Sequence, residues 1–233
     1  MFQIEMIKLP QVTILIADDV NPLLARDVLN ICQREIEFGA IKLLTSHEIE
    51  GAVKIPPLTN LTDYSVFMLT RCHEFIDTEF CLVVQRDGFI LNPGKWDNEW
   101  LELDYVAPMF IQYDFVGSGG FSLRSKSMMK HIAGDWPTWD GTHEHAERIQ
   151  AMMNYYEDGV ISFKYRDRFK IASAGQAANF GQGGNRNQKF FRERPFGFHR
   201  TWQQIDFKTG RVDSSDLSAD LCRNYDNYIK EIV

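Results

Sequence analysis

Long apolar runs are missing from this chain of 233 residues, and none approaches the roughly 20 residues a helix needs to cross a bilayer. No Cys-x-x-Cys spacing occurs among its four cysteines, Cys32, Cys72, Cys81 and Cys222, which argues against a zinc site or a disulfide framework. Each stands where a small buried hydrophobe would serve, so reduced thiols and a cytoplasmic compartment are expected. Positive charge is also in short supply. Against 32 Asp and Glu there are 25 Lys and Arg, a formal net charge of -7. That balance discourages non-specific attraction to nucleic acid or anionic membrane, while phosphate compounds remain accessible to a protein that holds a divalent metal. Glu5 and Lys8 precede a short apolar run ended by Asp18-Asp19, which is not the pattern of a signal peptide. Internal repeats are absent too.

What is present reads as an ordinary globular chain, with 44% hydrophobic and 24% charged residues and length enough for one large domain. Val12 to Ala17 is predicted as a first strand. Asn21 can cap a following helix with Pro22 at its first position, Leu24, Val28, Ile31 and Ile36 on its apolar face, and Gly39 as its stop. Ile41 to Leu44 gives a second strand, completing a βαβ unit. Asp63 opens a helix from Tyr64 to Phe75, and Ser125 or Ser127 opens another through His131. The fold class is therefore α/β: a single Rossmann-like domain with a mainly parallel central sheet flanked by helices. It spans residues 1–200, and residues 201–233 form a polar extension closing in a helix from Ser218 to Ile232.

The central stretch runs from Cys81 to Pro93. An apolar β-rich run ends in Gln85-Arg86-Asp87-Gly88 and resumes as Phe89-Ile90-Leu91. Open α/β sheets bind ligands where strands end, so Asp87 is placed to hold a hard cation, with Gly88 allowing close approach. The competing reading is an Asp-Gly turn joining two strands. Gly117, Gly119 and Gly120 form a second loop, without the spacing of a known phosphate motif. Glu157-Asp158 is either a pair of acids at a helix start or a working pair. His143-Glu144-His145 has the wrong spacing for a helical metal site, and Glu144 with Arg148 reads as a surface ion pair. Gly181 to Gln188 reads as a mobile loop, before Phe196-Gly197-Phe198-His199.

In this order the segments Asp63-Tyr64-Ser65, Gln85-Arg86-Asp87-Gly88-Phe89, Gly117 to Arg124, Glu157-Asp158 and Phe196-Gly197-Phe198-His199 are similar to those of a family of small, largely uncharacterised proteins. Those proteins resemble glycosyltransferases of the GT-A type. The resemblance covers Pro10 to His199 and implies a GT-A-like domain. It implies transfer of a sugar from a nucleotide-sugar donor, a UDP-sugar by preference, to a hydroxyl of a glycan or other acceptor. In GT-A enzymes an Asp-x-Asp motif holds a divalent metal on the donor diphosphate. Gln85-Arg86-Asp87 occupies its place with the first carboxylate replaced by an amide. Asp87 and His199 are then the expected ligands of Mn²⁺ or Mg²⁺. Gly88, Gly119, Gly120 and Ser122 are expected against the donor sugar, and Asp18 and Tyr64 beside the nucleobase.

Sugar transfer needs a stabilised diphosphate leaving group and an acceptor hydroxyl made nucleophilic. Asp158 is the expected general base, Glu157 its neighbour or acceptor contact, and a single displacement inverts the anomeric centre. The aromatic stretch from Trp96 through Trp100 and Tyr105 to Phe110 is expected to be packing, or a shelf for the acceptor. Residues 180–192 are expected to close over the donor. Arg186, Lys189, Arg192, Arg194 and Arg200 form a basic cluster suited to an anionic acceptor, with nucleic acid as a secondary candidate. Two rivals differ in class. A nucleotidyltransferase requires a Gly-rich basic loop after the first strand, which Ala17-Asp18-Asp19-Val20-Asn21-Pro22 is not. A non-catalytic nucleotide-sugar or glycan-binding module would explain the lost carboxylate.

Overall fold

A computed structural model describes residues 6–110, 115–183 and 195–199, together with the backbone of 205–206 and 211–212. The chain opens with β1 (Ile7–Ala17), α1 (Pro22–Cys32), β2 (Ile36–Thr45), β3 (Val53–Lys54), α2 (Leu61–Thr70) and β4 (Phe80–Val83). Four short strands follow, β5 (Tyr105–Val106), β6 (Met109–Phe110), β7 (Phe115–Val116) and β8 (Ser122–Ser125). Next come α3 (Lys126–Gly134), α4 (His143–Met153), α5 (Glu157–Gly159) and α6 (Ala174–Phe180). The strands β9 (Gly181–Gln182), β10 (Gly197–Phe198), β11 (Ile205–Asp206) and β12 (Arg211–Val212) complete the described elements.

Six strands form one sheet in the order β3-β2-β1-β4-β8-β5. The first four run parallel, and β8 is antiparallel to both its neighbours. This is the expected α/β architecture, with a mixed, mostly parallel sheet flanked by helices. β1 lies at its centre because both its faces are covered, and Val12, Ile14, Leu15 and Ile16 are buried without alternation. Each such side chain stabilises the fold by roughly 1.5–3 kcal/mol relative to exposure. α2 packs on α3 and α4, with Phe67 meeting Trp139 edge to face at 6.2 Å.

Two local expectations are corrected. α1 ends at Cys32, and Ile36 and Gly39 belong to β2, not to the helix. Buried Ile36, exposed Glu37 and buried Phe38 have the period of a strand, and the eight-residue spacing from Val28 to Ile36 mimics a helical face. Gly39 faces a β1 irregularity at Pro10, where the register with β2 shifts between Leu9 and Thr13. A Cβ on Gly39 would lie 2.0 Å from the Pro10 carbonyl oxygen, so close backbone approach and not helix termination demands glycine there.

The second correction concerns α2, which starts earlier than Tyr64. Asn60 is its cap, accepting from the amides of Thr62 and Asp63. Asp63 is left buried, accepting from the Thr59 amide and hydroxyl and facing His143 Nδ1 at 2.7 Å. The expected length to Phe75 divides into α2 and a 3₁₀ turn, Cys72–Phe75. Ser125 caps α3 as expected, accepting from the Met128 amide. The expected helix from Ser218 to Ile232 lies outside the described residues, as do Cys222 and most of the 180–192 loop. No described helix is long and apolar enough to cross a membrane.

Of the aromatic stretch after Pro93, Trp96, Trp100 and Tyr105 pack into the core, and the Phe110 side chain lies outside the described residues. Trp100 is buried against Trp96, Phe180 and Phe196, and Phe121 stacks on Phe180 at 4.9 Å. This cluster anchors β10 beneath the sheet's carboxyl edge, where Leu91 and Asn92 donate to the Phe196 carbonyl.

Candidate functional site

From β1 the chain passes to β2 and β3 on one side and to β4 on the other, so the strand order reverses between β1 and β4. A crevice opens beyond the carboxyl ends at such a reversal. Asp18 follows β1, and Gln85 to Gly88 lie just beyond β4. Gln85 and Gly88 exchange both backbone hydrogen bonds, at 2.7 and 3.0 Å, so Arg86 and Asp87 form the tip of a two-residue turn. The two readings of this stretch, strand-end carboxylate and tight turn, describe one structure. The Arg86 guanidinium pairs with Asp18, tying the two strand ends together.

This crevice has a volume of about 360 Å³ and is lined by Asp18, Asp19, Tyr64, Gln85, Arg86 and Asp87 among others. Asp19 closes its floor by accepting from the Thr45 hydroxyl and the Ser46 and Leu58 amides. Burial pushes its carboxyl up, but those hydrogen bonds outweigh burial and hold it below the ordinary value.

His199 reaches the same place from the far end of the chain. β10 pairs with β9, the Phe198 amide donates to Phe89 O and the His199 amide to Gln182 O. The imidazole is buried, with Nδ1 2.6 Å from Ser118 Oγ and Nε2 3.0 Å from Gln85 Oε1. A ring protonated on Nε2 satisfies both contacts: it donates to the amide oxygen and accepts from the serine hydroxyl. Asp87 Oδ1 lies 3.9 Å from the same Nε2.

A larger cleft, about 1000 Å³, lies on the other side of Tyr64 and Gln85, which line both cavities. Gly120, Glu157, Asp158 and His199 line it as well. The Gly119-Gly120 segment divides two clusters. A Cβ on Gly119 would lie 2.6 Å from Glu157 Oε1, and one on Gly120 would lie 2.1 Å from His199 Nε2 and 2.3 Å from Gln85 Oε1. Neither position accepts a larger residue without displacing those side chains.

Arg124, on β8, fixes that segment from below. Its Nη2 donates to the Gly119 carbonyl at 2.9 Å, and its Nε to Ser122 Oγ at 2.9 Å. Ser122 Oγ in turn donates to the Gly119 carbonyl at 2.8 Å. The same Nη2 stands 3.6 Å from Glu157 Oε1. Arg124 Nη1 and the hydroxyls of Tyr64 and Tyr105 are shut from water without a hydrogen-bond partner. Burial pushes both tyrosine hydroxyls well up.

Burial also pushes the Glu157 carboxyl up, aided by the neighbouring charge of Asp158 and opposed by Arg124, to about 7. Asp158 is only partly buried, and its Oδ1 accepts from the Gly159 amide at 2.7 Å as α5 begins. The pair thus stands at a helix start, and both members line the cleft.

The expected site residues therefore fall into two adjoining groups. Asp18, Tyr64, Gln85 and Asp87 line the crevice; Tyr64, Gln85, Gly120, Glu157, Asp158 and His199 line the cleft. Gly88 and Gly119 back the walls, and Ser122 faces inward to Arg124 without reaching either cavity. Sequence reasoning missed Ser118, Asp19 and Arg124. A signal for Arg124 existed: Ser122 and Arg124 share one face of a short strand, and a charge on a buried face calls for a buried partner. The excluded metal reading of His143 to His145 has a different use, since His143 binds Asp63 while Glu144 pairs with Arg148 at 3.3 Å. Among the described residues no three His, Cys, Asp or Glu side chains converge as a metal cage.

The fold is α/β and Rossmann-like, with a crevice at the reversal point of its sheet and an acid-lined cleft beside it. A family model described as a protein of unknown function, DUF5672, matches residues 52–199, well over half the chain, and the protein belongs to that family. The matched span holds every site residue above except Asp18 and Asp19. No curated protein matches the chain.

Proposed function

We propose that this protein is a metal-assisted glycosyltransferase that moves a sugar from a nucleotide sugar, a UDP-sugar by preference, to an acceptor hydroxyl with inversion. One observation carries the reading: the crevice at the strand reversal and the acid-lined cleft share Tyr64 and Gln85. A donor lying in the first brings its sugar to the second, where a carboxylate and an acceptor can meet it.

The residues present fit a divalent cation. Asp87 Oδ1 and His199 Nε2 stand 3.9 Å apart with Gln85 Oε1 3.0 Å from the imidazole nitrogen, a mixed oxygen and nitrogen set suited to Mn²⁺ or Mg²⁺. When bound, the ion supplies charge to the leaving diphosphate. To ligate, the His199 ring would carry its proton on Nδ1 and donate it to Ser118 Oγ, which leaves Nε2 unprotonated and orients the ring. Gly120 lets the donor approach His199 and Gln85 closely. Asp158, partly exposed in the cleft, accepts the proton of the acceptor hydroxyl on the face opposite the leaving group. Glu157, held by Arg124, shapes the base's surroundings without itself reaching far into solvent.

A binding module without catalysis is the second reading, favoured by one observation. Gln85 brings no charge, and the His199 ring nitrogens are both within hydrogen-bond distance of Ser118 and Gln85 without a cation. Calorimetry with UDP, with and without Mn²⁺, followed by hydrolysis of a panel of nucleotide sugars, separates the readings. Mn²⁺-dependent UDP binding together with release of UDP from at least one donor supports the transferase. Binding without turnover supports the module, and the absence of UDP binding overturns the transferase and a nucleotide-sugar module, leaving only a glycan-binding one.

A further inference from the structure

Three aromatic side chains at the mouth of the cleft are exposed, while the other aromatics among the described residues are buried or partly buried. Tyr155, Tyr156 and Phe163 are exposed by 42%, 46% and 42%, and all three line the cleft. Tyr155 and Phe163 form one surface, with ring centroids 5.3 Å apart and planes at 40°. Tyr156 directly precedes Glu157, so the surface begins beside the acid pair. Phe163 is carried on a π-helical turn, Val160–Lys164, a geometry often found at functional sites.

The rim of this surface is polar. Gln150 donates from Nε2 to the Tyr155 carbonyl at 2.5 Å, while its Oε1 is shut from water with no hydrogen-bond partner. Asn154, at the end of α4, adopts a left-handed backbone with φ 63° and lines the same mouth. Glu147 adds a third carboxylate to Glu157 and Asp158, and no Lys or Arg is among the described residues that line the cleft.

From these features we propose that the acceptor is an uncharged saccharide, with a pyranose ring stacked on Tyr155, Tyr156 and Phe163 and a hydroxyl directed to Asp158. The proposal rests on the transferase reading and names its acceptor class. A pyranose ring has an apolar C–H face and a rim of hydroxyl groups, and the surface offers aromatic faces bordered by amides and carboxylates. A mouth lined by Glu147, Glu157 and Asp158, with no Lys or Arg among its described lining residues, disfavours a phosphorylated or nucleic-acid acceptor. A lipid chain would require a continuous apolar groove, which the acids and amides interrupt.

Saturation-transfer NMR on the full chain tests this, using methyl glycosides of glucose, galactose, mannose and N-acetylglucosamine, with a serine-bearing peptide as a comparison. Transfer to ring protons on one face of at least one glycoside is expected. Its affinity should weaken by roughly threefold to tenfold in Phe163→Ala and in Tyr156→Ala, the range of an aromatic contact, and survive in Phe163→Tyr. Thermal unfolding of each variant confirms that the fold persists. UDP calorimetry with Mn²⁺, run in parallel, separates the two levels of inference. Intact UDP binding with no transfer to any glycoside, or transfer to the peptide alone, overturns the saccharide acceptor and leaves the transferase reading standing. Glycoside binding without any UDP binding supports the saccharide site and removes the transferase reading.

Discussion

The Arg124 guanidinium stands 3.6 Å from Glu157 Oε1, with the arginine side chain fully buried and the glutamate nearly so. Removing one member of a buried pair leaves the other uncompensated, at a cost of roughly 3–5 kcal/mol. Arg124→Met should therefore lower the unfolding free energy measured in urea by an amount in that range. Arg124→Lys should recover little, because Nε and Nη2 hold Ser122 and Gly119 by a fork that an ammonium cannot reproduce. Full recovery by lysine would reduce Arg124 to a simple counter-charge.

Glu157 makes stability depend on pH. Its folded pKa, raised to about 7 chiefly by burial, lies above the ordinary 4.5, so the folded protein holds this proton more tightly than the unfolded chain. The resulting stabilisation is full below pH 4.5 and is lost as pH rises through about 7. Glu157→Gln removes that dependence. Melting temperatures of the two proteins across this range should diverge, the wild type falling relative to the variant as pH rises. Parallel curves would mean that Glu157 is solvated in solution.

His143, on α4, carries a second linkage. Its hydrogen bond with Asp63 raises the imidazole above its ordinary 6.5, outweighing burial. Asp63 is lowered: burial pushes it up, but hydrogen bonds from Thr59 and His143 prevail. The histidine's contribution is thus full below pH 6.5 and is lost as pH rises through the folded value, while the aspartate's is lost only in acid. His143→Ala should lower the melting temperature at pH 6 and have little effect at pH 9. An equal loss at both would assign His143 to packing between α2 and α4.

Much of this architecture is legible in the chain. Continuous apolar residues at Val12 to Ala17 and at Cys81 to Val84 read directly as buried parallel strands, and the strand ends then locate Asp18 and Asp87. The Gly119-Gly120 segment was also visible, because glycine marks close approach whatever the fold. What escaped depended on partners distant in sequence. Ser118 acquires meaning only when β10 carries His199 to it across 81 residues. Ile36 falls in a strand although its eight-residue spacing from Val28 satisfies a helical face, because that spacing says nothing of the strand pairing with Ile7. Tyr155, Tyr156 and Phe163 resembled core aromatics like Trp100, and only their exposure sets them apart.

Asp158 carries the most direct test of the proposed chemistry. It lies partly exposed in the cleft while Glu157 beside it is buried against Arg124, so the two adjacent acids occupy different environments. A general base must reach the acceptor proton, and the partly exposed Asp158 is placed to do so, while the buried Glu157 carboxylate is turned to Arg124. Asp158→Asn keeps the size of the side chain and its acceptor oxygen while removing the base. Turnover with a donor and acceptor pair should fall by roughly 10²–10⁴-fold, with UDP and Mn²⁺ affinity unchanged because the residue acts on the acceptor side. Glu157→Gln should lower turnover less and shift the pH profile, since it alters the field around the base. The reverse ranking assigns the base to Glu157, whose pKa of about 7 then becomes that of the reacting group. Proton NMR of the new linkage gives the stereochemical check: an inverted anomeric centre agrees with one displacement by an activated hydroxyl, and a retained one excludes it for both acids.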